Sequence, residues 1–179
     1  MASLPPLPDW AVTTAHRRAH IRRVARQLAT WAERLEVPDG ERARWLRAAM
    51  LHDALKDAPA DTVAALADPT FGPRKLWHGP AAARRAEQDG ERDRGVLDAV
   101  CYHSVGYAGW DQVGRMLYLA DYLEPGRRHA DRRRAKQAKR VGREPDVVLR
   151  EIARERIVYG LSKGWPLLAE TVAFWNALS

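Results

Sequence analysis

Apolar residues recur every three or four positions along most of the chain, and no stretch keeps the alternating pattern of a half-buried strand. This spacing is typical of amphipathic helices that bury one face. The longest predicted helix, 14–35, shows it most clearly, with a stripe formed by His20, Val24, Leu28, Trp31 and Leu35. The sequence therefore predicts an all-α fold, a helical bundle.

Residues that favour turns divide the rest of the chain into shorter predicted helices. One helix over 46–57 ends at Asp57-Ala58-Pro59, and Gly90 separates two later ones. The remaining predicted helices cover 60–67, 80–88, 91–102, 111–123, 145–162 and 166–178. The expected buried faces of the last two are Val148 with Ile152, and Leu168 with Val172 and Trp175. We expect an N-terminal extension over 1–13 and a single domain over 14–179.

Composition limits the kinds of partner that the chain would bind. The sequence has 179 residues, 30 Lys and Arg against 23 Asp and Glu, and a formal charge of +7. A positive charge favours anionic partners. Arginine greatly exceeds lysine, as a GC-rich genome would also produce, so charge alone does not identify the partner.

Cys101 is the only cysteine, which excludes a disulfide within the chain and a metal site built from several thiolates. A reducing cytoplasm is the simplest compartment for such a protein. The sequence has no run of 18 apolar residues, so we expect no membrane partner.

Polar residues occupy helix faces or helix ends where the pattern predicts burial, and burying an unpaired carboxylate costs several kcal/mol or more. These residues are His20, His52, Asp53, His78, His103 and Asp121. Each one alone has a structural explanation, as a satisfied core histidine, a helix cap or an ion-pair partner. Six of them on five successive elements favour a metal site inside the bundle. Imidazole and carboxylate ligands suit Mn, Fe, Co, Ni or Zn, and six are enough for two ions, with Asp53 as a bridge.

If the anionic partner is a phosphate ester, the same residues suggest how it would be bound. Two metal ions about 3.5–4 Å apart can hold a bridging hydroxide and the phosphoryl oxygens for in-line attack. Lys56, one turn after His52, and Arg127 are the candidate phosphate-binding cations, with surface ion pairs as the alternative. For Tyr107, Trp110 and Tyr122 core packing is favoured over stacking on adenine. Glu124 is expected to support a ligand or to cap a helix.

These residues stand in motifs that resemble a known family. The motifs are Arg17-x-x-His20-x-x-x-Val24-Ala25, Leu51-His52-Asp53-x-x-Lys56, Leu76-Trp77-His78-Gly79, His103-Ser104-x-Gly106 and Leu119-Ala120-Asp121-Tyr122-Leu123-Glu124-Pro125-x-Arg127. Together they resemble the HD-domain metal-dependent phosphohydrolases, and within them the bacterial symmetrical bis(5'-nucleosyl)-tetraphosphatases.

The resemblance implies hydrolysis of diadenosine tetraphosphate to two ADP. It also implies two divalent or mixed-valent metal ions, iron first, with Mn, Co, Ni or Zn as alternatives. In family terms one ion is held by His20, His52, Asp53 and Asp121, and the other by Asp53, His78 and His103. Asp53 and Lys56 would carry the catalysis.

Two alternative functions and the oligomeric state stay open at this point. The enzyme could act on another nucleotide, such as a nucleoside phosphate or a nucleotide second messenger. The arginine-rich stretch 127–143 allows an RNA-binding HD-fold protein, although a solvated face is the favoured interpretation. The sequence does not decide the oligomeric state, and a homodimer is compatible with it.

Overall fold

The structure is a computed structural model, and it describes residues 4–126 and 132–178. Within these ranges the chain forms nine α-helices and one 3₁₀ turn, with no strand. The helices are α1 Ala15–Arg34, α2 Asp39–Leu51, α3 Ala60–Leu66, α4 His78–Gln88, α5 Arg94–Tyr102, α6 Gln112–Leu123, α7 Arg132–Val141, α8 Pro145–Ser162 and α9 Ala169–Ala177. The 3₁₀ turn is Arg74–Leu76. The all-α prediction is confirmed.

The core lies between α1, α2, α5 and α6, which contact one another, while α4 packs on α5 and α8 packs on α6. The predicted stripe of α1 is buried through Val24, Leu28 and Trp31. On α6, Val113 and Leu117 are buried and lead to Asp121 one turn later. Because these apolar faces are packed in the core, the polar residues on the same faces are held at fixed positions inside the bundle.

The helix predicted over 46–57 begins earlier, at Asp39, and the prediction is wrong beyond Leu51, where α2 ends. The imidazole Nδ1 of His52 lies 2.7 Å from the carbonyl oxygen of Ala49, the acceptor that a continuing helix would offer to the backbone N–H of Asp53. After this point the chain makes tighter turns, because the N–H of Ala54 donates to Leu51 and the N–H of Lys56 donates to Asp53. His52 and Asp53 consequently lie at a helix end and not inside a helix.

Two acidic residues set the N-terminal ends of the helices that were predicted over 91–102 and 111–123. The side chain of Asp93 accepts from the N–H of Val96 and so caps α5, and Asp111 caps α6 in the same way through Val113. Both helices therefore begin after the capping residue, and α5 begins at Arg94 instead of residue 91.

Of the residues predicted to be buried on the last helix, Trp175 packs against the core, but the prediction is wrong for Val172. Val172 is 42% exposed, whereas Phe174 is buried at 2%. Phe174 fills a gap between Trp110 and Tyr118, with ring centroids 5.2 and 5.4 Å away. Trp110 thus belongs to the core, as the sequence favoured.

Residues of the predicted extension also reach the core, since Leu4, Leu7 and Trp10 pack against it. The indole N–H of Trp10 donates to Asp89 at 2.9 Å. The division into an extension and a domain stays a prediction. Among the described residues, no helix combines the length and apolar character that a bilayer span needs.

Candidate metal centre

The structure brings the six predicted residues to one point inside the bundle. His20 comes from the middle of α1, His52 and Asp53 from the end of α2, and Asp121 from the last turn of α6. The other two are His78, the first residue of α4, and His103, which follows α5. All six are between 0% and 7% exposed.

A close approach of two helices places His78 against His103. A Cβ on Gly79 would lie 2.7 Å from the carbonyl oxygen of Cys101 and 3.3 Å from the ring of His103. Only glycine lets the start of α4 come this near to α5. The two imidazole Nε2 atoms are consequently 3.1 Å apart.

Two of the histidines have a fixed tautomer. His52 directs Nδ1 at the Ala49 carbonyl oxygen at 2.7 Å, and His103 directs Nδ1 at the Val100 carbonyl oxygen at 2.8 Å. A carbonyl oxygen only accepts hydrogen bonds, so in each neutral ring the proton is on Nδ1 and Nε2 carries the lone pair. A hydrogen bond of this kind orients a histidine for metal binding.

The Nε2 atoms form two pairs, and Asp53 lies between the pairs. In the first pair His20 and His52 are 3.3 Å apart, and the second pair is His78 with His103. Oδ2 of Asp53 is 3.6 and 3.8 Å from the first pair, and Oδ1 is 3.3 and 3.6 Å from the second. Each pair with its carboxylate oxygen is a group of three atoms that could hold one metal ion.

Asp121 adds a further oxygen on the side of the first pair. Its Oδ1 is 3.2 Å from Nε2 of His20, while Nδ1 of the same ring is 3.1 Å from Glu124. Burial disfavours a charged His20, but the two carboxylates outweigh it and raise the pKa of the imidazole to about 9. A cation is therefore favoured at this position, as a proton or as a metal ion.

The donor set fits metal ions for a reason visible in the geometry. Burial lowers the pKa of His52 to about 4, so this ring is neutral near pH 7. Its Nε2 lone pair points toward Nε2 of His20, and Nε2 of His103 likewise faces Nε2 of His78 at 3.1 Å. Burial would raise the pKa of Asp53, yet the surrounding imidazoles keep it well below its usual value. Nitrogen lone pairs and an ionised carboxylate converging in a buried space are what a divalent metal requires.

The sequence did not single out two residues that contact this centre. Arg17 donates to Oδ2 of Asp53 at 2.6 Å, and the hydroxyl of Ser104 is 3.1 Å from Nε2 of His103. Both belong to the motifs that carry the family resemblance, but neither lies on an apolar stripe, the signal that indicated His20, Asp53 and Asp121. Contact between Glu124 and His20 agrees with the ligand-supporting role considered for Glu124.

Of the two predicted phosphate-binding cations, the structure describes only Lys56. Its Nζ is 3.1 Å from Nδ1 of His78 and 3.4 Å from the carbonyl oxygen of Lys75. The ammonium group therefore lies beside the second histidine pair. Arg127 lies outside the described residues.

The arginine-rich stretch is partly neutralised. Arg140 binds Glu144 and Glu151, Arg133 binds Glu155, and the guanidinium of Arg134 lies 4.3 Å from the ring centroid of Tyr122. A groove of about 330 Å³ between α1 and α7 is lined by Arg23, Arg26, Arg34 and Lys139 among others. The described lining of this groove does not include the six predicted ligands, and Arg23 in the lining pairs with Glu124, which contacts His20.

An all-α bundle that gathers four histidines and two aspartates at a buried point defines the class, a helical protein built to bind metal. The chain belongs to the HD domain family, whose sequence profile matches residues 17–126 and so includes all six residues. Membership places the chain in the superfamily of HD-domain metal-dependent hydrolases.

Curated relatives agree with this membership. Over 122 residues the chain is 31% identical to the Bacillus subtilis (strain 168) bis(5'-nucleosyl)-tetraphosphatase, symmetrical, with 64% of each protein covered. A protein of the same name from Halalkalibacterium halodurans is 25% identical over 105 residues, which are 58% of this chain and 55% of that protein. The chain thus matches less than two thirds of the length of either relative.

A solved structure shows the same fold. It is a predicted HD superfamily hydrolase involved in NAD metabolism from Clostridium acetobutylicum, with a TM-score of 0.77. The alignment covers 92% of this chain and 89% of that one at 22% identity. At this identity the likeness concerns the fold alone.

Proposed function

We propose that the protein is a metal-dependent phosphohydrolase that cleaves diadenosine tetraphosphate symmetrically into two ADP. One observation carries the proposal: the two oxygens of the buried Asp53 face two separate pairs of histidine nitrogens. This arrangement suits two metal ions bridged by one carboxylate. The names of the curated relatives support the choice of substrate and of the cleaved bond.

In this proposal His20, His52, Asp53 and Asp121 hold one ion, and Asp53, His78 and His103 hold the other. The ions are divalent or mixed-valent, iron first, with Mn, Co, Ni or Zn as alternatives. When bound, such a pair polarises phosphoryl oxygens and lowers the pKa of water to near neutrality.

The residues of the chain hold this centre in place and compensate charge. Arg17 keeps Oδ2 of Asp53 oriented, and the bonds from His52 and His103 to backbone carbonyls fix the direction of both rings. Lys56 is placed to take negative charge that develops on a phosphate beside His78. Arg127 is proposed as a second phosphate-binding cation. The lone, half-buried Cys101 fits a cytoplasmic enzyme.

The test combines metal analysis with product analysis. Elemental analysis of protein purified without added metal should give about two ions per chain. Initial-rate anion-exchange chromatography with diadenosine tetraphosphate should then show ADP as the sole early nucleotide product. Equal amounts of AMP and ATP would refute cleavage at the central oxygen and leave the metal-dependent hydrolase in place.

Hydrolysis of another nucleotide is the second candidate, because the described contacts of the centre would recognise phosphate and not a particular base. A panel of nucleoside phosphates and nucleotide second messengers tests it directly. Turnover of any of them well above that of diadenosine tetraphosphate would replace the proposed substrate. RNA binding has weaker support, since Arg133 and Arg140 of α7 are paired with acidic residues of the same chain.

A further inference from the structure

Two aromatic residues are exposed near the candidate metal centre. Tyr159 is in the last turns of α8 and Trp165 is in the loop after it, and they are 56% and 47% exposed. Their ring centroids are 5.8 Å apart with an interplanar angle of 84°. The two rings thus form a joint surface, which we call the aromatic platform. A tryptophan has a large apolar surface, so exposing nearly half of it is costly unless a ligand covers it.

Lys75 links the aromatic platform to the centre. Its Nζ lies 3.7 Å from the centroid of the Trp165 ring. Its carbonyl oxygen is 3.4 Å from Nζ of Lys56 and 3.2 Å from Nδ1 of His78. The platform is consequently one lysine side chain away from the second histidine pair. Ribose with one or two phosphates can span such a distance.

Packing between two loops holds this arrangement. Gly72 has φ +97°, and a Cβ there would lie 3.1 Å from the side chain of Leu168. Glycine at this position lets the loop before the 3₁₀ turn approach the loop that carries Trp165. The indole N–H of Trp77 also donates to the carbonyl oxygen of Gly72 at 2.9 Å. The two loops therefore position Lys75 and Trp165 together.

The chemistry of the platform fits a nucleotide. Lys75 contacts Trp165, and Nζ of Lys163 lies 5.6 Å from the ring centroid of Tyr159. Aromatic rings stack on nucleobases whatever the base, and neighbouring lysines attract phosphate. A purely apolar partner would match these ammonium groups poorly.

We propose that Trp165 and Tyr159, together with Lys75, bind the nucleobase of one nucleoside arm of the substrate while its phosphates lie at the histidine centre. The inference rests on the proposed function for the identity of the substrate. Stacking makes this recognition tolerant of base identity.

The experiment compares Trp165→Ala and Trp165→Phe with the wild-type metal-loaded enzyme. Stacking on an aromatic side chain gives roughly a five- to hundredfold effect per base. We expect Trp165→Ala to raise KM for diadenosine tetraphosphate about tenfold with kcat nearly unchanged. Trp165→Phe should restore most of the loss, and inorganic tetraphosphate, which has no base, should show no change. Leu161→Ala is the control, since Leu161 is also 56% exposed on the same end of α8.

Two results would overturn the inference. One is an equal change of KM for the substrate and for inorganic tetraphosphate. The other is an unchanged KM in Trp165→Ala. A change of mass in light scattering beside it would mean that this face is a contact between copies of the chain. If the wild-type enzyme does not hydrolyse diadenosine tetraphosphate, the proposed function fails separately. Quenching of the wild-type tryptophan fluorescence by ADP then still tests the aromatic platform, because the Trp165→Ala variant must lose this quenching.

Discussion

Two polar clusters both involve α2, α5 and α6, and they are completed in different ways. The first is built around Arg44 on α2, which donates to Glu41 at 2.6 Å, to Asp93 at 2.6 and 2.9 Å, and to Asp111 at 2.7 Å. Since Asp93 and Asp111 also cap α5 and α6, this cluster joins three helices. A single guanidinium supplies donors to all three carboxylates.

The histidine centre lacks such internal compensation. Arg17 supplies a donor to Asp53, yet the Nε2 atoms still meet in pairs at 3.1 and 3.3 Å. A neutral imidazole that directs its Nε2 lone pair at a second imidazole nitrogen needs a proton or a metal ion between the two nitrogens. A polar cluster that satisfies itself stabilises the fold, whereas one left with an excess of acceptors is a site for an ion. Substitutions in the two clusters should therefore have opposite effects on metal content and on stability.

Replacing the carboxylate that faces both histidine pairs should have the largest effect. We expect Asp53→Ala to lower hydrolysis by about 10³-fold or more, because one side chain serves both proposed ions. Metal content measured by elemental analysis should fall sharply, while circular dichroism should show a folded protein. A variant that keeps two ions and most of its activity would show that the two-metal assignment is wrong.

Removing the cation beside His78 should affect turnover and not metal. Lys56→Ala is expected to lower kcat by about 10²-fold, because charge on the reacting phosphate loses a partner. Metal content should stay at the wild-type value, with Lys136→Ala, an exposed lysine on α7, as the control for general loss of charge. Loss of metal without loss of turnover per bound ion would mean that Lys56 orients His78 instead of binding phosphate.

Substitution in the Arg44 cluster should have the reverse effect, a loss of stability without a loss of metal. Arg44→Met leaves three carboxylates without their shared donor, and breaking a buried ion pair costs roughly 3–5 kcal/mol. Because the Arg44 side chain is 27% exposed, we expect about 2 kcal/mol in the free energy of unfolding. Urea denaturation measures this loss. Metal content and kcat of the folded fraction should not change, and a loss of bound metal would contradict the separation of the two clusters.

The spacing of apolar residues predicted those features of the fold that depend on burying one face of a helix. The stripe of α1 with His20, and the aspartates Asp53 and Asp121 on apolar faces, follow from it, since a polar residue on such a face is exceptional. His52 was indicated as the neighbour of Asp53, and His78 and His103 by their places at helix ends. The end of α2 could not be predicted, because it depends on the imidazole of His52 taking the Ala49 carbonyl oxygen. The same limit applies to Arg17, whose importance comes from a contact with Asp53 36 positions away.

The burial predicted for Val172 on the last helix was wrong for another reason. α9 has only nine residues, and several of its faces carry an apolar side chain. Its pattern therefore allows more than one buried face. The choice of Phe174 over Val172 depends on the gap between Trp110 and Tyr118, which is created by other parts of the chain.

The smallest expected effect is the acid dependence of the Arg44 cluster. Hydrogen bonding to Arg44 lowers the pKa of Asp93 to about 2, against the opposing effect of burial. In the unfolded chain an aspartate titrates near its ordinary pKa of about 3.9. Because the pKa is lower in the folded state, the stabilisation is complete above about pH 4 and is lost as the pH falls towards 2. The partly exposed position limits its size to about 1 kcal/mol.

The Arg44→Met variant isolates this contribution. In the variant Asp93 loses the guanidinium, so its pKa should return towards the ordinary value and the acid-dependent term should shrink. The difference in free energy of unfolding between wild type and variant should therefore narrow between pH 4 and pH 2. Urea denaturation of both proteins in the presence of a chelator measures this difference without a contribution from bound metal. If the two curves stay parallel over this interval, Asp93 does not draw its stabilisation from Arg44, and the contrast between the two clusters loses its electrostatic basis.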